Sequence, residues 1–452
     1  MSSLFGSLLN AGDAMRVYQR AMTVAENNIT NASTPGYAKE RLSFQAKSFS
    51  PENGLGGGVV AGDRESSRDP LLEQGVRRRN SAFSYSSQNE ASLKPLEAIL
   101  TVAKGAGIPD GMNQLFQSFS ALSVSPNDAT LRQTVLDSAG RVAAQINEAS
   151  SQMTAAVSDN NRQASSAAAN INRLVEQLAS LNQSRRQTAS ETPDAGVDAQ
   201  TNSVLEQLSG VADISVLNQP DGTVSVYLGG LTPLLVGEST YQVTVTTQSG
   251  QIQVLDYQGK DITSNIHAGS LGGLLETGNR QIPSYLSDLN RLAASLADQV
   301  NTVLANGVDA SGQSGAPLFT YNTAADAAAT LAVSGLTQDQ LAAASADAPG
   351  GNGNALALAD LGGTPQLDGM TFTAFYGNIG AKLGRDLSGA TENTDTQQLL
   401  LDQARNVRQL ASGVSIDEEA ANVMQLQRNY QAIGQLVSIL NSMADTLLGM
   451  MH

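Results

Sequence analysis

The two ends of this chain carry the same seven-residue apolar seam, and a fold containing both must bring its termini together. Leu4, Leu8, Ala11, Met15, Tyr18, Met22, Ala25 and Ile29 alternate steps of four and three, the spacing of helices that pair in a coiled coil. Val423, Leu426, Tyr430, Ile433, Val437, Leu440, Ala444, Leu447 and Met451 repeat it at the other end. At 1.5 Å per residue the seams run about 38 Å and about 42 Å, so one can lie along the other. Their flanks are nearly uncharged: residues 420–452 hold only Arg428 and Asp445, and residues 1–33 only Asp13, Arg16, Arg20 and Glu26. A solvated helix face normally carries many charges, so outer faces of Ser, Asn, Gln, Thr and Ala predict packing against further copies. A single intramolecular hairpin with a polar surface satisfies the same spacing, which does not choose between the two.

Both helices have marked boundaries. Ser415 stands where a helix N-cap accepts from the amide of Glu418, with acids in the first turn. Thr34-Pro35-Gly36-Tyr37 places Pro35 and Gly36 at the two central positions of a type II turn, which ends the first helix. Between the ends, helical patterns cover residues 80–104, 111–124, 198–208, 285–304 and 396–410. One very long helix follows Asn127-Asp128, its apolar line running from Leu131 to Leu181. Residues 211–266 alternate in strand fashion around turns at Asp221-Gly222 and Ser249-Gly250. The expected fold is mainly α with a smaller β part. Its terminal helices pair as a coiled coil, and a long-helix rod domain carries a β-hairpin subdomain. The expected division is residues 1–45 with 412–452 as the inner polymerisation domain, 46–210 with 281–411 as the rod domain with an extended N-terminal linker, and 211–280 as the β subdomain. Residues 306–393, rich in Ala, Gly, Asp and Ser, read as short apolar pieces.

Composition bears on function mostly by exclusion. Forty-two acidic against 26 basic residues give a net charge of -16, which argues against nucleic acid and anionic membrane as partners. No apolar stretch reaches the length of a membrane span, and the first basic residue is Arg16, so neither membrane insertion nor a Sec-type leader is expected. Cysteine is absent and the only histidines are His267 and His452, which leaves no thiolate nucleophile and no HExxH metal site. No metal, cofactor or catalytic residue is expected. Aromatics make up 4%, little for a ligand pocket. Arg77-Arg78-Arg79, with Arg64 and Arg68, is the one basic cluster. It reads as a solvated face balanced by Glu65, Asp69 and Glu73, with a docking site as the alternative.

Asn27-Asn28-Ile29-Thr30-Asn31-Ala32-Ser33-Thr34-Pro35-Gly36-Tyr37 resembles the N-terminal signature of bacterial flagellar rod, hook and hook-associated proteins. The run from Ser412 to Asn422, continuing to Leu448, is similar to the hook-associated protein 1 family, the hook-filament junction proteins. So are Gly272-Gly273-Leu274-Leu275, Ile282-Pro283-Ser284-Tyr285 and Asn352-Gly353-Asn354-Ala355. The resemblance implies a structural protein, exported through the flagellar type III apparatus without signal cleavage and aided by a dedicated cytoplasmic chaperone. It implies self-association in a ring between the hook protein and a second hook-associated junction protein, with the terminal helices lining the axial channel. Alternatives are a paralogous hook or distal rod protein, a secreted adhesin, and a cell-surface hydrolase built on an acid pair.

Overall fold

The computed structural model describes residues 2–50, 55–100, 107–187, 194–322 and 326–450. Met451, His452, Gly54 and Lys104 lie outside the described residues. The first helix, α1 (Ser2–Thr30), is followed by β1 (Glu40–Ala46), β2 (Phe49–Ser50), β3 (Leu55–Gly56) and β4 (Val59–Ser66). These strands form one antiparallel ribbon, β1 on β4 and β2 on β3, which packs along α1. The body then begins with α2 (Pro70–Ile99), α3 (Gly107–Val124), α4 (Ala129–Gln187) and α5 (Ala195–Val211).

Helix starts are set by local chemistry. The Asp69 carboxylate accepts from the Leu71 and Leu72 amides, and Pro70 occupies the first turn. This cap starts α2 ten residues before the expected Asn80. Asp128 opens α4 in the same way, accepting from the Thr130 and Leu131 amides at 2.7 and 3.2 Å. The 59 residues of α4 span about 88 Å, and Val135, Ala139, Val142, Ile146, Met153, Ala164, Ile171, Leu174 and Leu178 of its apolar line are buried.

The β part has β5 (Ile214–Asn218), β6 (Val224–Leu228), β7 (Thr232–Val236) and β8 (Ser239–Thr240) as a four-stranded antiparallel sheet. Beside it β9 (Thr244–Gln248) and β10 (Gln251–Leu255) form a hairpin through Ser249-Gly250, both at positive φ. Tyr241 to Val243 precede the strand rather than belonging to it. The chain returns by α6 (Gly269–Glu276), a π-helical turn over Thr277–Gln281, and α7 (Ile282–Ala305). A wrap follows, of β11 (Gly307–Val308), β12 (Phe319–Thr320), α8 (Ala327–Thr330), β13 (Ala332–Val333), β14 (Ala344–Ser345) and α9 (Gly353–Asp360). The last two helices are α10 (Phe372–Ser412) and α11 (Ile416–Gly449).

The expected helix over 396–410 is thus the end of a 41-residue helix starting at the Thr371 cap, and the last part of 306–393 is helical. Gly377, Gly380, Gly384 and Gly389 mask its pattern in the sequence. The fold is mainly α with a smaller β part, as expected, and α1 and α11 pack side by side.

Strands attach to helices by a recurrent device. The Asn182 side-chain amide donates to Val224 O at 2.8 Å and accepts from Val224 N at 3.0 Å, so it acts as a neighbouring strand would. Asn172 serves Val243 in this way, Asn279 serves Ile252 and Asn301 serves Phe319. Each satisfies two backbone groups that burial would otherwise leave unpaired.

The motifs Gly272-Gly273 and Asn352 to Ala355 are packing devices. A Cβ on Gly273 would lie 2.6 Å from Tyr85 O, so α6 approaches α2 closely only because this residue is glycine. Asn352 donates to Ser123 O at 2.6 Å and Asn354 to Ala342 O at 2.6 Å, which fastens the wrap. Tyr285 is fully buried and its hydroxyl donates to Asp386 at 2.6 Å. Among the described residues no helix is long and apolar enough to cross a membrane.

Gly273→Ala is expected to lose about 1–3 kcal/mol by forcing α6 off α2. Gly384→Ala, exposed and with open space around it, should gain roughly 0.5–1 kcal/mol in helix propensity. Urea unfolding of the two variants tests the contrast.

Candidate assembly interface: the terminal helix pair and its joint

Helices α1 and α11 run antiparallel, with Ala21 and Val24 near Leu426 and Asn28 bonded to Glu419. Seam residues Leu4, Leu8, Met15, Tyr18, Met22 and Ile29 are half-buried, and Ala11 and Ala25 are buried. On α11, Leu426 is buried, and Val423, Tyr430, Ile433, Val437 and Leu440 are half-buried. Leu447 is 43% exposed, so the seam opens towards its tip. A second line on α1, Val17, Ala21, Val24 and Asn28, is buried because the ribbon lies along that side.

The outer face of α11 departs from the all-polar surface expected of it. Leu436, Ile439, Met443, Leu447 and Met450 recur at steps of three and four with exposures from 43 to 78%. At the same tip α1 exposes Phe5 and Leu9. The seam pattern conceals this stripe because Leu436, Ile439, Met443 and Met450 each neighbour a seam position by one residue, and Leu447, where the two lines meet, belongs to both.

At the base of the pair the chain is knotted by hydrogen bonds. Asn28 has no exposed surface; its amide donates to Glu40 O at 2.8 Å and to Glu419 Oε2 at 3.1 Å, and its carbonyl accepts from Glu40 N and the Tyr37 hydroxyl, each at 3.0 Å. Lys39 pairs with Glu419 at 2.6 Å, its amide donates to Ser412 O, and the Ser412 hydroxyl donates to Ser67 O. Gly36 has φ +76° and Tyr37 N donates to Thr34 O, the expected type II turn with Pro35 exposed. A side chain on Gly36 would meet Ala199 O at 2.3 Å, so this turn is seated against α5 of the body. The Ser415 hydroxyl accepts from Glu418 N at 3.4 Å, as expected of the cap. Burial pushes the Tyr37 hydroxyl up to about 12, helped by nearby Glu40. Burial also raises the Glu40 carboxyl, which Arg64 partly offsets. Spacing singled out neither Asn28 nor Glu419; the available signal was an Asn continuing the buried line of Val17, Ala21 and Val24.

Below the joint a network of charges binds α2, α5 and α10. Arg68 bonds Glu73, Asp198 and Gly36 O at 2.5–2.7 Å; Arg408 bridges Glu73 at 3.2 Å and Glu206 at 2.7 Å; Arg405 also bonds Glu206. Burial of Glu206 favours the neutral form, but Arg408 and Arg405 outweigh it and hold the carboxyl below its usual range. The basic cluster is a solvated face only in part: Glu73 balances Arg68 and Arg78 is exposed, as expected, but Arg68 and Arg77 are turned inward. Arg77 is drawn in against Glu73 and Glu206, where burial lowers its pKa, and Asp69 caps a helix instead of balancing charge. His267 is exposed. Among the described residues no group of acids and histidines could hold a metal ion.

A paired-terminus stalk is thus fastened onto a largely helical body. Residues 410–450 match the flagellar basal body rod FlgEFG protein C-terminal family. Residues 93–319, about half of the chain, match the flagellar hook-associated protein FlgK helical domain. The chain belongs to the FlgK family. It is 27% identical to flagellar hook-associated protein 1 of Bacillus subtilis, over 99% of this chain and 98% of that protein. The Salmonella typhimurium protein of the same name is 22% identical over 98% of this chain and 99% of its own length. The solved flagellar hook junction protein FlgK from Burkholderia pseudomallei shares the fold, with TM-score 0.69 and 17% identity over 76% of this chain and all of that one.

Asn28→Ala leaves Glu40 N and O, the Tyr37 hydroxyl and Glu419 short of a partner, a loss of about 2–4 kcal/mol at the joint. Hydrogen exchange should accelerate over residues 24–42 while the core around Ile146 stays protected.

The Glu206 pairing stabilises the fold above the ordinary carboxyl value of 4.5 and is lost as pH falls through its lowered folded value. Acid unfolding monitored by circular dichroism should therefore be less steep in Glu206→Gln.

Proposed function

We infer that this protein is a structural component of the bacterial flagellum that forms the junction between hook and filament and assembles through its terminal helices. The observation that carries the reading is the uncovered apolar stripe Leu436, Ile439, Met443, Leu447 and Met450 beside a seam already occupied by α1. One partner helix covers one face. A second apolar face at helical spacing calls for another copy, and copies related by rotation close into a ring. On this reading residues 1–45 with 412–452 are the polymerisation domain, 46–210 with 281–411 the rod domain and 211–280 the β subdomain. The polymerisation seam comprises the α1 and α11 residues named above. The ring is flanked by the hook protein and a second hook-associated junction protein. The subunit travels through the type III apparatus with its C-terminal stripe covered by a dedicated chaperone, and without a cleaved leader. The role is structural and non-catalytic: the buried acids described above bond to arginine, lysine or asparagine partners that hold the fold together.

Electron microscopy of motile cells carrying single variants tests this. Ile433→Glu and Leu440→Glu place a carboxylate in the helix seam, at a cost of several kcal/mol. Ile439→Glu changes only the outer stripe and should leave monomer stability within about 0.5 kcal/mol. All three should give hooks without filaments and filament subunits in the medium, with Gln431→Glu as the exposed control off the seam. Normal filaments in both the Ile433→Glu and Ile439→Glu strains would overturn the assignment.

A further inference from the structure

The body has two separate apolar cores. One gathers Leu96, Met112, Phe119, Ile146, Leu292 and Tyr376 with their neighbours on α2, α3, α4, α7 and α10. The other gathers Ile171, Leu178, Leu208, Val226, Leu235 and Leu274 on α4, α5, α6 and the strands. Four long elements, α2, α4, α10 and the α6–α7 helix, pass from one half to the other, and three of them place polar groups together at the crossing.

On α4 the only buried residue between Met153 and Ala164 is Asn160. It is 3% exposed, and its side-chain nitrogen has no hydrogen-bond partner. On α2 the buried residues from 77 to 92 are Ser81, Ser86, Asn89 and Ser92. The third element is the α6–α7 helix, which here opens into its π-helical turn: the Ile282 amide donates to Thr277 O, five residues back.

These polar groups share one level. Asn89 donates to Thr277 Oγ1 at 2.9 Å and to Gln281 Oε1 at 2.8 Å. A Cβ on Gly278, in the same turn, would lie 3.6 Å from Asn160 Cβ and 2.7 Å from the Ile252 side chain, with which the second core borders the layer. An apolar core resists bending because interlocked side chains lose contact as soon as they part. A thin layer of amides and hydroxyls can exchange partners instead, and a π turn is where a helix most readily absorbs a change of direction.

We propose that the layer of Asn89, Asn160, Thr277 and Gln281 is a hinge at which the two halves of the body reorient as rigid units. This is a property of the free monomer and does not rest on the assembly reading. In a subunit that meets neighbours on two sides, it lets each half keep its own packing while the angle between them adjusts.

Because the chain has no cysteine, paired spin labels can be placed uniquely in the full-length protein. Arg385→Cys with Gln207→Cys spans the hinge, and Gln177→Cys with Gln207→Cys lies within one half; all three positions are exposed. The spanning pair should show a distance distribution at least twice as wide as the internal pair. Asn160→Leu, which joins the two cores with an apolar side chain, should narrow it towards the internal width. Hydrogen exchange of the unsubstituted chain decides independently of that variant's folding. Amides of residues 158–163 and 277–282 should exchange at least tenfold faster than those around Ile146 and Ile171. Equal widths for the two label pairs, or uniform protection along α4, would overturn the hinge.

Discussion

The structure depends on a recurrent contact, an asparagine on a helix pairing its side-chain amide with the backbone of one residue in or next to a neighbouring strand. Asn28 does this at Glu40, Asn172 at Val243, Asn182 at Val224, Asn279 at Ile252 and Asn301 at Phe319. The sheets are too small to cover their own edges, and a buried edge with unpaired amides is costly. A helix cannot extend a strand ladder with its backbone, whose groups are already used. A short side chain carrying one donor and one acceptor can.

Asn28 takes this further by adding Glu419 and Tyr37, so a single amide holds α1, the ribbon, the turn and α11. The turn is in turn fixed to the body by Arg68 on Gly36 O and by the contact of Gly36 with α5. Where α2, α5 and α10 meet below, Glu73, Asp198 and Glu206 tie them through arginines. Removing one partner there would strand its charge, so the joint is specified by matching charges as well as by shape.

Much of the helical skeleton was legible in the sequence. The terminal seams, the Pro35-Gly36 turn, the Ser415 cap and the apolar line of α4 are periodic or local signals, and periodicity survives without knowledge of partners. What escaped depended on distant residues. The start of α10 was masked by glycines, at least three of which have open space around them, the apolar stripe on α11 lay beside a stronger pattern, and Asn28 looks like any polar helix residue until Glu40 and Glu419 are beside it. The Arg77 cluster misled for the same reason. The acid that acts most on Arg77 is its sequence neighbour Glu73, but Glu206, far along the chain, adds to it and burial draws the side chain in.

The bond between Asn28 and Glu419 joins residues 391 positions apart. Helix α1 and helix α11 are separated by the entire body in the sequence, so the surface that each needs is supplied from the far side of it. A chain interrupted before Ile416 keeps both body cores, since those lie within residues 93–390, but it leaves α1 without its mate. The pairing of α1 with α11 is thus a contact that can be lost while both body cores stay intact, because neither core draws on α1 or α11.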